Sequence, residues 1–150
     1  MYRDKSNQSG DRSQAAVLWD LVDRGWIVSR PESRDSVYDL VVDRGNKVFE
    51  TVQVKTMCGN SIAKIIDRSG ERVSHNGKTR NSVDYAAEGI DWLAGYNPET
   101  NEIHYYKLDT YSQIPTKSFS TNKWKQDGFP VAAVPNRHAK RGSKKSTENT

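Results

Sequence analysis

The tightest constraint on the fold is a pair of β-prone runs, residues 37–42 and 48–56, separated by Asp43-Arg44-Gly45-Asn46. Branched and aromatic residues suit a pleated, half-buried surface, and Asp, Gly and Asn suit a tight reversal. A hairpin is therefore expected. In its second arm Val52 and Val54 alternate with Gln53 and Lys55, so period-2 geometry puts the valines on one face and Gln53 and Lys55 together on the other. If the turn pairs the two arms, Asp39 in the first arm approaches the same patch. An acid, an amide oxygen and an ammonium would then converge, a set suited to a hard cation such as Mg2+ and to a phosphoryl group gaining charge. The same residues also suit the wet face of an edge hairpin, and spacing alone leaves both readings open.

Before the hairpin, Ala16, Val17, Leu18, Leu21 and Val22 have helical spacing, which predicts a helix over residues 13–24 stopped by Gly25. A short strand at 26–28 follows, ended by Pro31 and a polar loop. After the hairpin, residues 57–81 are polar, and the runs 62–66 and 72–74 can pair across Ser69-Gly70 as an inserted hairpin. Residues 90–96 and 103–108 read as two further strands. Residues 119–124 fit a helix or a loop, and 129–134 fit a late strand. There is no internal repeat.

Composition bounds what such a chain can be. With 150 residues, 34% of them hydrophobic, it can bury one core. The lone Cys58 excludes a disulfide framework and a cysteine-rich zinc site. No N-terminal apolar run reads as a signal peptide or membrane span, so a soluble, cytoplasmic protein is expected. The histidines, His75, His104 and His138, are scattered. His75-Asn76 is better read as a loop than as part of a His-Asn nuclease motif.

Charge is distributed unevenly. Arg137, Lys140, Arg141, Lys144 and Lys145 face only Glu148 in the last fourteen residues and account for the whole net charge of +4. The expectation is one domain over 1–136 and a basic flexible tail over 137–150, suited to polyphosphate; a plain solubilising terminus fits the same composition. The predicted insertion is also basic, with Lys64, Arg68, Arg72, Lys78 and Arg80 against Asp67 and Glu71.

The run Val37-Tyr38-Asp39-Leu40-Val41-Val42, a turn, and Val52-Gln53-Val54-Lys55-Thr56 together resemble the core of PD-(D/E)XK nucleases. More narrowly, the pattern is similar to bacterial homing endonucleases encoded in group I introns, and more distantly to Holliday junction resolvases. Gly10, Arg24-Gly25-Trp26, Pro31 and Tyr85 to Ala94 fit that layout, so the resemblance spans roughly residues 10–108. It implies an α/β, restriction-endonuclease-like fold: a mixed central sheet flanked by helices, here with an inserted hairpin.

By that resemblance Asp39 takes the metal-binding acid position, Gln53 the position usually held by Asp or Glu, and Lys55 the lysine position. The Val54 carbonyl would also face the metal, expected to be Mg2+ or another divalent cation. Gln53 departs from the pattern, offering a neutral oxygen where a charged one is usual. Glu50 has the wrong strand parity to join Gln53 without a bulge. Related nucleases often add a carboxylate from the first helix; Gln14 occupies that place, with Asp11 as the nearby acid that could substitute. As helix-entry residues the two would be unremarkable.

The function implied is metal-dependent, sequence-specific hydrolysis of double-stranded DNA by an intron-encoded homing endonuclease. Cutting both strands with one site per chain implies a homodimer or homotetramer. Sequence reading falls to the inserted hairpin, with its five basic residues, as a β-ribbon in the major groove; a solvated loop is the alternative. Lys117, Lys123, Trp124 and Lys125 suit phosphate contacts. Alternatives are a structure-selective, resolvase-like nuclease and a non-catalytic DNA-binding module, the latter suggested by Gln53. An RNA-binding role lacks the usual aromatic platform.

The tail generates a direct test. Each phosphate neutralised contributes roughly 0.9 to the log-log salt slope, so deleting residues 137–150 should flatten the slope of DNA binding by up to about four units. Binding should weaken equally on all duplexes while single-turnover cleavage of saturated DNA is spared. An unchanged slope would show that the tail makes no phosphate contacts.

Overall fold

The computed structural model describes residues 5–33, 35–63, 89–109 and 118–133. Helix α1 (Lys5–Asp23) is followed by β1 (Ile27–Ser29), β2 (Leu40–Asp43), β3 (Phe49–Thr56), β4 (Ser61–Ala63), β5 (Trp92–Tyr96), β6 (Ile103–Lys107) and β7 (Ser118–Ser120). Five strands form one sheet in the order β1-β2-β3-β5-β6, and β4 pairs with β7 in a second, two-stranded sheet. Neighbours in the large sheet are antiparallel except β3 and β5, which run parallel. A parallel pair needs a crossover, and here it runs through β4 and residues 64–88.

The predicted hairpin forms, with Leu40 opposite Val52 and Asp43 opposite Phe49. Its loop is Arg44 to Val48. Gly45, Asn46 and Lys47 all have positive φ, the Asp43 carboxylate accepts from the Gly45 N–H at 2.8 Å, and the Val48 N–H turns back to the Gly45 carbonyl. Val48 is therefore spent on the turn, and β3 begins one residue later than its composition suggested.

Helix α1 packs on one face of the sheet through Val17 and Leu21, which meet Leu40, Val42, Val52, Val54, Trp92 and Ala94. It ends as Gly25 predicted. Gly25 has φ 92°, its N–H reaches the Val22 carbonyl, and the Trp26 N–H reaches that of Leu21, the paired bonds of a Schellman cap. The start of the helix differs from expectation: it extends back to Lys5, so Gly10, Asp11 and Gln14 lie within it rather than at its entry. Residues 5–12 carry no apolar repeat, so periodicity could not reveal that extension.

On the other face of the sheet Leu93 and Tyr106 pack with Met57, Ile62, Ile90, Leu108 and Phe119, with Val37, Tyr38 and Trp124 against them. Strand β4 lies so close that a Cβ on Gly95 would collide with the Ile62 side chain and sit 3.2 Å from Met57 Cγ. Residues 57–63 are the described part of the expected insertion, and there Ile62 and Ala63 pair with Phe119 and Ser118 of β7 rather than with residues 72–74. The rest of that hairpin, including Lys64, Arg68, Arg72, Lys78 and Arg80, lies outside the described residues, as do Lys117 and the tail.

Two expectations for the C-terminal third are corrected. Residues 118–120 form a strand, since Phe119 is drawn into the second core, and the expected helix or loop begins only with the turn at Thr121. Residues 129–133 form no strand. Phe129 is instead an anchor, stacked near Trp92 and Tyr105, while the Ala132 N–H makes one bond to the Arg24 carbonyl. No helix among the described residues is long and apolar enough to cross a membrane.

The two faces of α1 should separate cleanly by mutation. Leu21, fully buried, should cost about 2–5 kcal/mol when changed to Ala, whereas Trp19, 74% exposed, should cost no more than about 0.5 kcal/mol when changed to Ser. Urea denaturation of both variants checks this, and equal losses would contradict the packing described.

Candidate active site

The site arises where β2 leaves β3. Leu40 and Val52 are the last pair of the ladder, and the Asp39 N–H still reaches the Val52 carbonyl at 2.9 Å. Before Asp39 the chain turns away. Val37 and Tyr38 pack into the second core, and the Ser36 hydroxyl, bonded to the Tyr38 carbonyl at 2.9 Å, holds the corner. That departure would leave the Val54 N–H without a strand partner. The Asp39 carboxylate takes it at 2.8 Å, standing in for a main-chain carbonyl. Within a strand residue, N–H and C=O point to the same neighbour, so the Val54 carbonyl also faces the side that β2 has vacated.

Helix α1 supplies the third component. The Gln14 side chain hydrogen-bonds to the Asp39 carboxylate, so its amide N–H donates there. Lys55, one residue beyond Val54, lends electrostatic support to the same carboxylate. Burial nonetheless dominates and pushes the Asp39 carboxyl above its usual value; the bonds from Val54 and Gln14 and the charge of Lys55 only partly offset this. An acid so placed has lost part of its hydration. It offers an anionic oxygen to a cation that can approach the open end of the sheet.

Gln53 and Lys55 are both half-buried and share strand parity, on the face opposite the buried Val52 and Val54. The structure therefore gathers Asp39, Gln14, Lys55 and the Val54 main chain, with Gln53 on the adjoining strand face. Asp11 lies one turn before Gln14 on α1 and is exposed. Glu50 is directed elsewhere, as parity required: its carboxylate receives the Trp92 indole N–H and pairs with Arg44 at 3.3 Å. His104 sits at 3.4 Å from Glu102, away from these groups in the strand order. Lys123 and Lys125 are exposed on the segment after β7.

Among the described residues no three His, Cys, Asp or Glu side chains cluster as a metal site. The available donors are the Asp39 carboxylate, the Gln53 amide oxygen and the Val54 carbonyl. All are oxygen, with one negative charge among them. That set fits a hard divalent ion that retains several waters, rather than a soft metal needing thiolate or imidazole.

Sequence reasoning missed two features. One is the Val54 N–H as the partner of Asp39, since strand parity describes side chains and not where a ladder stops. The other is Ser13, whose i, i+4, i+8 spacing with Val17 and Leu21 could have marked it as a buried polar residue on the core stripe.

A family model described as PD-(D/E)XK endonuclease matches residues 4–123. The chain belongs to that family. A solved structure titled as that of a bacterial homing endonuclease, I-Ssp6803I, superposes with a TM-score of 0.64 at 17% identity. The alignment covers 98% of this chain and 99% of the other. At that identity the likeness establishes the fold, a mixed sheet with a helix on one face. No curated protein sequence matches the chain.

The half-buried acid gives this PD-(D/E)XK chain a signature in stability. A carboxyl whose folded pKa is raised holds its proton more tightly when folded, so it costs stability as pH rises above the unfolded value of 3.8. Asp39→Asn should therefore match wild type in acid, below that value, and equal or exceed it at neutral pH in metal-free urea denaturation. A clear loss of stability at neutral pH would show that hydrogen bonds and Lys55, not burial, dominate at Asp39.

Proposed function

We propose that the chain is a divalent-metal-dependent endonuclease that hydrolyses double-stranded DNA at specific sequences, in the manner of homing enzymes. The observation that carries this reading is the half-buried Asp39 carboxylate fixed on the Val54 N–H beside Lys55. Family membership supplies the reaction class, and I-Ssp6803I, a bacterial homing endonuclease by its title, supports the narrower type.

Asp39 and the Val54 carbonyl would hold Mg2+, with Gln53 contributing a neutral oxygen to it or to one of its waters. Bound there, the ion would supply Lewis-acid stabilisation of the scissile phosphate and a more acidic water. Lys55 orients the attacking water, helps remove its proton, and offsets charge as the oxygen adds to phosphorus and the P–O bond to the leaving sugar breaks. Gln14 holds Asp39 by its amide N–H, filling with a neutral group the place where related enzymes carry an acid. Asp11 is the acid on the same helix nearest to that place.

Cleaving both strands requires two such sites, so the active species is a homodimer or homotetramer. The basic insertion, with Lys64, Arg68, Arg72, Lys78 and Arg80, would read the target, while Lys123 and Lys125 contact phosphates.

Incubation with a randomised duplex library and Mg2+ tests the reading. Cleavage at a recurring sequence is expected, with Asp39→Ala and Lys55→Ala each lowering the rate by at least about 10²–10³-fold while melting normally. Gln53→Glu should retain metal binding. Near-normal cleavage by either alanine variant would move the active site elsewhere.

A further inference from the structure

Helix α1 brings Gln14 to Asp39, but its apolar anchors, Val17 and Leu21, both lie beyond Gln14 toward the C-terminal end. Apolar contact is non-directional and permits small slides and rotations. On the N-terminal side the helix is largely exposed; the Arg12 guanidinium, 6.0 Å from the centre of the Tyr96 ring, adds a loose contact there. One directional link stands out. The Ser13 hydroxyl, on a residue only 1% exposed, lies 2.6 Å from the Thr56 hydroxyl at the end of β3 and 3.0 Å from the Ser9 carbonyl. Ser13 has one hydroxyl hydrogen, and the Ser9 carbonyl can only accept, so Thr56 is the donor to Ser13. The two linked residues are chain neighbours of two site residues: Ser13 precedes Gln14, and Thr56 follows Lys55.

We propose that Thr56 is a positioning residue, whose hydroxyl bond to Ser13 fixes α1 in the register that keeps Gln14 on Asp39 beside Lys55. The inference rests on the nuclease reading of that site. Thr56 acts through the helix, by its bond to Ser13. Losing its hydroxyl releases Gln14 from Asp39 and loosens the carboxylate that receives the metal, just as loss of an outer hydrogen bond to a ligand weakens metal sites in general.

The test compares Thr56→Val, which keeps shape and loses the hydroxyl, with Thr56→Ser, which keeps the hydroxyl, and with Gln14→Ala alone and combined with Thr56→Val. Readouts are thermal melting, Mn2+ binding to the DNA-free protein by calorimetry, duplex binding without metal, and the half-saturating Mg2+ concentration in single-turnover cleavage. Thr56→Val should raise that concentration and the Mn2+ Kd about tenfold or more, with metal-free duplex binding unchanged. Thr56→Ser should behave as wild type. The double variant should be no worse than Gln14→Ala, because both remove the same link. Ser13→Ala, which breaks the bond from the other side, substitutes if Thr56→Val does not fold. Unmoved metal binding in a folded hydroxyl-less variant, or additive losses in the double variant, would overturn the proposal. Retained cleavage in Asp39→Ala would instead overturn the site reading on which it rests.

Discussion

The bond from the Val54 N–H to the Asp39 carboxylate is the constraint on which the site depends. A sheet that lets one strand depart must satisfy the main-chain groups left behind, and an unpaired buried N–H is costly. Using a carboxylate for that purpose settles two matters together. It closes the ladder, and it fixes an acid at the open end of β3, where the Val54 carbonyl and Lys55 also lie. The chain cannot keep its hairpin register, with Leu40 opposite Val52, without presenting Asp39 there.

The arrangement is assembled from three elements that are distant in sequence and close in space. Strand β2 contributes Asp39 from its N-terminal corner, β3 contributes Gln53, Val54 and Lys55, and α1 contributes Gln14. The helix is held to the sheet at one end by Val17 and Leu21 and farther back by the Ser13 to Thr56 hydrogen bond. Burial that raises the Asp39 pKa works against the stability of the metal-free protein, and the neutral Gln14 avoids stacking a further negative charge beside it.

Much of this was legible in the sequence because the informative signals were local. Alternation in Val52-Gln53-Val54-Lys55 gave side-chain parity, Gly25 gave the helix stop, and Asp43 to Asn46 gave the reversal. The resemblance carried by Asp39 and Lys55 gave the fold and pointed to Gln14 on the first helix. What was not legible depends on tertiary partners. The polar start of α1 has no periodicity to reveal it. Phe129 looked like part of a strand because a β-prone run and an aromatic anchor have similar composition; its packing on Trp92 and Tyr105 decides between them. Phe119 likewise joins a strand only because Ile62, some sixty residues earlier, offers an edge.

The central claim is that Asp39 and Val54 together form the metal-receiving end of a nuclease site. Crystals of the protein with duplex DNA, soaked with Mn2+ and measured at an anomalous-scattering wavelength, test it most directly. The account predicts an ion peak at coordination distance, about 2.0–2.6 Å, from the Asp39 carboxylate and the Val54 carbonyl, with a phosphate oxygen completing it. An ion bound to DNA away from both residues, with the Asp39 carboxylate still closed on the Val54 N–H and facing no phosphate, would contradict it.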